Sequence, residues 1–291
     1  MLTVDPSDPS DPSDPSDPSD PSDPSDPSDP SDAAVRRLVV EVMAPDPPEP
    51  FGVYLFRSDE PGGALGRRVE QKVFLEVFGN TPELLAKEYQ PYRAASFFLC
   101  VVDHRRRLPA GVMRMLVPSD AGFKTANDVP AIWLEPLDAM AMRTGLVIDP
   151  SRTWDIATLA VAAEYRGKAT TGLVTLGLYQ ALSTLTLRSG IEWLIAILDR
   201  RVFRMVRWQL KMTFAGFKDV PALPYLGSPA SLPVWCSMSE GKRRLVADHP
   251  ELYELLVEGR GLEAAMRPVD MTGALDRVAD LTASLALESA T

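Results

Sequence analysis

Side chains that bind soft metals are scarce. The 291-residue chain has two His and two Cys, too few for a metal site built from imidazole and thiolate ligands, so no metal is expected. Both cysteines lie in apolar, strand-like runs, Cys100 in "SFFLCVVD" and Cys236 in "LPVWCSM", where reduced, buried thiols are the expected state. No apolar run reaches the length of a membrane span, and no charged-then-apolar start marks a signal peptide, so a cytoplasmic protein without a membrane span is expected. An excess of basic residues is also missing. The net charge is -10. A nucleic-acid partner is therefore not indicated.

The acidity has a local origin. From Asp5 to Asp32 the chain repeats Asp-Pro-Ser and carries ten Asp, which leaves thirty acids against thirty bases in the remainder. With nothing apolar to bury and a proline at every third position, residues 1–32 are expected to form a solvated, extended arm of polyproline character. The remaining length suits one domain of ordinary size with an extension. Residues 33–238 are read as that domain and 239–291 as a helical extension, packed on the domain or on a second subunit in a homodimer.

Hydrophobic periodicity orders the domain. "RRLVVEVM" (36–43) reads as a first strand. "GRRVEQKVFLEVFGN" reads as an amphipathic helix through Val69, Val73, Phe74 and Val77. Thr81 and Pro82 start a second helix as cap and first residue. "ASFFLCVVD" and "PAGVMRMLV" form a hairpin across the turn "HRRRL". A short helix is expected over "PAIWLEPLDAMAMRTG". A strand "TWDIATLAV", a helix "TTGLVTLGLYQALSTLTLRSG", a strand "IEWLIAILD" and a helix "RRVFRMVRWQLKMTF" then follow in β-α-β-α order, in which the first helix serves as a crossover between parallel strands. "PVWCSM" reads as the last strand. Helices broken near "GRG" and at Pro268 complete the chain.

The junction of "TWDIATLAV" with the following helix is the most informative point. The first amides of that helix have no partner within it and point beyond the strand end, where Arg166 and Lys168 add positive charge. Such a place suits a phosphate or pyrophosphate.

The order of elements and this turn resemble the GNAT acyltransferase superfamily, whose Arg/Gln-x-x-Gly-x-Gly/Ala signature falls on Arg166-Gly167-Lys168-Ala169-Thr170-Thr171. Ala169 and Thr171 stand at its two small-residue positions. Within the superfamily the chain is most similar to the autoinducer-synthase and N-acyl amino acid synthase branch. "RRVEQKVFLEVFG" resembles its Arg-x-x-Val-Phe helix, "GVMRMLVPSD" its Gly-x-x-Arg-Leu strand and "WDIATLAV" its Trp-Glu-x-x-Arg-Phe-x-Val strand, with Asp155 for Glu and Thr158 for the strand Arg. The match runs from about Arg67 to Met238. It implies an α/β (α+β) GNAT fold, a central mixed twisted sheet flanked by helices with a C-terminal helical extension. It also implies transfer of an acyl group from a thioester of coenzyme A or of an acyl carrier protein to a small amine. A domain of this fold that only binds the thioester, as sensor or scaffold, is the alternative.

Acyl transfer needs a base for the amine, donors for the oxyanion and an exit for thiolate. Asp155, on a strand where it alternates onto one face with Ala157, Leu159 and Val161, is the candidate base, since apolar neighbours raise a carboxyl pKa. Trp154, Ile156, Thr158 and Ala160 are expected on the other face. The resemblance assigns the oxyanion to a backbone amide near Leu159, Ala160 and Val161, where the strand bulges. It assigns the thioester phosphates to Arg166, Gly167, Lys168, Ala169, Thr170 and Thr171, and substrate contacts to Arg114, Trp154 and Thr158. A buried Arg114 needs a counter-charge, for which Asp155 or a substrate carboxylate would serve. The helix after the second parallel strand contains no Tyr to protonate the thiolate, but a thiol of pKa about 8.5 leaves without a strong acid. That helix carries Arg200, Arg204, Arg207 and Lys211 at helical spacing opposite Phe203, Val206, Leu210 and Phe214. The basic face is either merely solvated or suited to an acidic carrier protein or a 3′-phosphate.

Overall fold

A computed structural model describes residues 30–43, 47–167, 170, 172–208 and 210–288. Among the described residues the strands are β1 (Phe51–Arg57), β2 (Ser96–Asp103), β3 (Leu108–Leu116), β4 (Thr153–Val161), β5 (Trp193–Asp199), β6 (Ala215–Gly216), β7 (Leu223–Tyr225), β8 (Ser228–Ser237) and β9 (Met266–Arg267). The helices are α1 (Pro30–Val42), α2 (Gly63–Phe78), α3 (Pro82–Tyr89), α4 (Lys124–Trp133), α5 (Leu137–Thr144), α6 (Leu173–Arg188), α7 (Arg200–Trp208), α8 (Met238–Asp248), α9 (Pro250–Leu256) and α10 (Met271–Glu288). The strands form one mixed sheet in the order β6-β8-β5-β4-β3-β2-β1-β9, with β7 also on β8. The fold is α/β, a mixed sheet flanked by helices.

Burial on both faces explains the sequence of the central strands. Every residue of β2 and β3 is buried, so both read as continuous apolar runs instead of alternating ones. On one face α6 packs Val174, Leu178, Leu182 and Leu185 against β1 to β5. Leu256 of α9 and Val278 and Leu281 of α10 join the same core. The C-terminal extension therefore covers the α6 side of its own sheet. On the other face α2 brings Val69 and Val73 to Phe98, Val112 and Ala160, while α4 and α5 cover Leu116 and Ile195.

The β2–β3 hairpin pairs Ser96 with Leu116 through Asp103 with Leu108, and α6 crosses between parallel β4 and β5. Thr81 caps α3 through its hydroxyl, which accepts from the Leu84 amide at 3.3 Å, and Pro82 occupies the first turn. Both cysteines are free and buried.

Four expectations need correction. "RRLVVEVM" belongs to α1. Its branched residues suggest a strand, but Val35, Leu38, Val39 and Val42 recur at three- and four-residue steps and pack on Phe56, Leu65, Cys100 and Val102. The α1 helix starts at Pro30, so residues 30–32, assigned to the repeat arm, open a helix whose Asp32 accepts from Arg68 at 2.5 Å; residues 1–29 lie outside the described residues. The single helix expected before β4 is two, parted where Leu134 takes a left-handed φ of 59° ahead of Pro136. Finally, α7 stops at Trp208 and Lys211 has φ 52°, so Lys211 does not extend the row of Arg200, Arg204 and Arg207 along the helix.

Gly66 lets α2 lie close on the sheet. A Cβ there would stand 2.6 Å from the Phe98 ring, and a buried ring cannot give way cheaply. Gly66→Ala is expected to destabilise the protein by roughly 1–3 kcal/mol although alanine favours helices by about 1 kcal/mol. Denaturant unfolding of the two proteins checks it.

Candidate functional site

Two neighbouring cavities form where the sheet opens. The parallel strands β4 and β5 pair only over Thr153–Asp155 and Trp193–Ile195. Beyond these residues each strand remains paired on its outer side, β4 to β3 and β5 to β8. The gap between them is a cleft of about 70 Å³, lined by Ile156 to Leu159 of β4, by Ile197 and Leu198 of β5, and by Phe74, Phe78 and Val202, with Tyr89, Asp199, Tyr225, Ser228 and Ser231 as its polar lining. Its apolar side suits a short acyl chain. A second cavity of about 360 Å³ lies between α2 and α3, lined by Arg67, Glu70, Tyr89, Arg93 and Arg114. Tyr89 borders both.

A bulge sets the chemistry of the wall between them. Arg114 of β3 pairs with Thr158, but Met115 pairs with Ile156, so Ala157 is an extra residue in β4. The inserted residue reverses the alternation expected along the strand. Trp154, Ile156, Leu159 and Val161 all pack on the α6 side, whereas Ala160 faces α2 and Thr158 bonds to Glu70 of α2. The bulge expected near Leu159 to Val161 thus stands at Ala157, and Leu159 and Val161 do not share a face with Asp155.

Four buried side chains converge at the bulge. Arg114 donates from Nη2 to Glu70 Oε2 at 2.5 Å, and Thr158 donates from Oγ1 to Glu70 Oε1. The Tyr89 hydroxyl donates to the Ala157 carbonyl at 2.9 Å and lies 3.1 Å from Thr158 Oγ1. The Arg114 guanidinium is held between the rings of Tyr89 and Phe98, 3.9 and 4.6 Å from their centroids. Its Nε is buried without a hydrogen-bond partner. Burial, with the charge of Glu70 beside it, raises the Tyr89 phenol pKa well above the ordinary value, so this hydroxyl stays protonated. Arg67 bonds the Ser58 carbonyl at 2.5 Å; burial and its neighbours Arg93 and Arg114 lower its pKa. Three guanidiniums therefore share the larger cavity with one carboxylate, Glu70.

The other expected site residues take different places. Asp155 is fully buried, and its oxygens accept from the backbone amide and the hydroxyl of Thr125, each at 2.7 Å. This carboxyl lines neither cavity and fastens the start of α4 to the sheet. Burial, outweighing the Thr125 bonds, pushes its pKa up to about 6. Arg114 finds its counter-charge in Glu70, not in Asp155. Trp154 is a core residue, edge-on to Phe97 with centroids 5.2 Å apart, and does not reach either cavity. At the end of β4, Arg166 is exposed and its Nε donates to the Val161 carbonyl at 2.6 Å. Gly167 has φ 58°, Thr170 bonds the Tyr165 carbonyl at 2.7 Å, and Gly172 with φ 79° leads into α6. Lys168, Ala169 and Thr171 lie outside the described residues.

Glu70 and Tyr89 escaped the sequence reading. A signal for Glu70 exists: it is four residues from Gly66 and three from Val73, a charge on the buried stripe of an amphipathic helix. Tyr89 carries no such mark, because an aromatic at the end of a short helix reads as core. Among the described residues no group of three or more His, Cys, Asp or Glu could hold a metal ion, and no helix is long and apolar enough to cross a membrane.

No family model and no curated protein matches the chain. Solved structures are similar in fold. A CoA-dependent acyl-homoserine lactone synthase, BjaI, with SAM and isopentyl-CoA, is 13% identical over 78% of this chain and 97% of its own, with a TM-score of 0.48. The acyl-homoserine lactone synthase LasI is 16% identical over 65% and 90%, at 0.45. FeeM, an N-acyl amino acid synthase from uncultured soil microbes, is 12% identical over 66% and 95%, at 0.45.

The raised pKa of Asp155 has a consequence for stability. In the unfolded chain its carboxyl titrates near 3.8 and in the fold near 6, so the folded state binds the extra proton between these values. Its contribution is complete below about pH 4 and is lost as pH rises through 6, about 3 kcal/mol in all. Asp155→Asn removes this slope. Unfolding measured from pH 4 to 7 should show the variant gaining on wild type as pH rises; a constant difference would show that the carboxyl does not titrate there.

Proposed function

We propose that the protein is an N-acyltransferase that carries an acyl group from a thioester, of coenzyme A or of an acyl carrier protein, to a small amine that bears an anionic group. The observation that carries this reading is the parting of β4 from β5 after three residue pairs, beside a second cavity lined by Arg67, Arg93 and Arg114. A parallel sheet that opens in this way exposes strand backbone inside a fold, where amides can receive a carbonyl that becomes an oxyanion. The apolar cleft takes the acyl chain, with the thioester carbonyl at the Ala157 bulge. Arg166, tethered to the end of β4, and the start of α6 take the phosphates of the donor.

The acceptor enters by the larger cavity. Its formal charge is positive, three guanidiniums against one carboxylate. A carboxylate or similar anion on the acceptor balances the excess charge. The amine then meets the thioester at the shared wall of Tyr89 and Thr158. Nitrogen attacks the carbonyl and the C–N bond forms to give a tetrahedral oxyanion; its collapse breaks the C–S bond, and the proton lost by the amine leaves with the sulfur as thiol.

Thiol release from a panel of acyl-thioesters, with amines that carry or lack a carboxylate, tests the assignment. Turnover restricted to amines without an anionic group would overturn the acceptor class, and thioester binding without thiol release from any acceptor would make the protein a sensor. Arg93→Ala, at an exposed edge of the cavity, should raise KM for an anionic acceptor about tenfold, roughly 1.4 kcal/mol, and leave thioester affinity unchanged. Ile197→Trp fills the cleft and should do the reverse, weakening thioester binding in calorimetry by tenfold or more.

A further inference from the structure

The cleft has a carboxyl of its own, Asp199, which accepts from the Ser228 hydroxyl at 2.8 Å; the carboxyl at the wall between the two cavities is Glu70. It is 1% exposed, lines the acceptor cavity, and holds the hydroxyl of Thr158, which lines the acyl cleft. Glu70 thus reaches one cavity directly and the other through a single hydrogen bond to Thr158. Its place is fixed from three sides: by Arg114 at 2.5 Å, by the rings that clamp Arg114, and by the Tyr89 hydroxyl against Thr158. A carboxylate only accepts, so the Thr158 proton points to Glu70 and the oxygen's lone pairs are left for the wall of the cleft.

We propose that Glu70 takes the proton of the attacking amine through the Thr158 hydroxyl, with Arg114 and Tyr89 as positioning residues. This inference rests on the acyl-transfer reading given above. As the nitrogen lone pair forms the C–N bond, the amine N–H passes its proton to Thr158 Oγ1 and Thr158 passes its own to Glu70 Oε1. When the tetrahedral intermediate collapses, the C–S electrons leave on sulfur and the proton held by Glu70 returns to the thiolate by the same hydroxyl. No other reactant is needed. Tyr89 keeps its proton throughout and holds the bulge, and with it Thr158, in register through the Ala157 carbonyl. Asp155 is excluded from this step by its two bonds to Thr125.

Glu70→Gln keeps the shape and removes the proton acceptor, so kcat should fall by roughly 10²- to 10⁴-fold with thioester affinity unchanged. Because that variant leaves Arg114 without its counter-charge and can disturb folding, Thr158→Val is the second test: it keeps the Glu70–Arg114 pair and removes the relay hydroxyl, with its bonds to Glu70 and Tyr89. It should lose activity as Glu70→Gln does, Thr158→Ser should restore it to within a few-fold of wild type, and the Glu70→Gln, Thr158→Val double variant should be no slower than either single one. Thr158→Val with wild-type turnover, or single losses that multiply in the double variant, would overturn the relay. A wild-type protein that binds thioester but turns over no acceptor would instead defeat the acyl-transfer reading itself.

Discussion

A parallel strand pair that ends after three residues is the constraint on which the rest of the structure depends. Backbone amides and carbonyls inside a fold must find partners, and two strands that part in the middle of a sheet leave one edge of each without its ladder. The molecule confines this cost to one gap. On one side β5 keeps its full antiparallel pairing with β8, from Trp193 with Ser237 to Asp199 with Ser231. On the other side β4 keeps β3 as far as Val161, opposite Gly111. The crossover helix α6 ties the halves together across one face, with Leu178, Leu182 and Leu185 in the core shared by both. The opening is therefore rigidly bounded, although its two inner edges are not paired to each other.

The polar groups of this region are buried at a cost that their geometry offsets. Removing one partner of a buried ion pair typically costs about 3–5 kcal/mol, because the other charge is left in a poorly polarisable interior. Here Glu70 and Arg114 have side chains 1% and 4% exposed, and the guanidinium face is covered by two rings. Lys124, equally secluded, is held by Glu88 at 2.6 Å and Asp128 at 2.7 Å. Asp155 relies on Thr125 instead, and burial, which outweighs those bonds, raises its pKa to about 6. One carboxyl thus anchors a helix while the other, with a cation and a hydroxyl, faces open space.

Much of the framework was legible because its signals are local. Thr81 and Pro82 mark the start of α3, two unbroken apolar runs mark β2 and β3, and β4, α6 and β5 follow from a change of period along the chain. What could not be read is what depends on partners distant in sequence. Inserting Ala157 into β4 is a property of its register with β3, and no residue type announces it; yet it moves Thr158 to the face of Glu70 and sends Leu159 and Val161 the other way. The acidic residue on β4 was legible as buried, but its partner Thr125 lies thirty residues earlier, in a segment with weak patterning. In α1, the valines that suggested a strand are satisfied by a helix because Val39 is covered by Phe56 and Cys100 of the neighbouring sheet.

The two cavities differ in chemistry because they are walled by different elements, and they meet because one residue belongs to both. The cleft takes its apolar lining from strands and from the α2 phenylalanines Phe74 and Phe78, whereas the larger cavity takes its charge from Arg67 of α2, Arg93 after α3 and Arg114 of β3. Tyr89, the last residue of α3, closes the space between them. Its ring stacks on Arg114 in the larger cavity and its hydroxyl bonds the bulge at the cleft side. Any shift of α3 would therefore loosen the guanidinium and the bulge together. An apolar group and a charged one are favoured in different compartments, since each compartment penalises the other's chemistry. Contact between them is then restricted to the wall of Tyr89 and Thr158, where Glu70 lies one hydrogen bond behind.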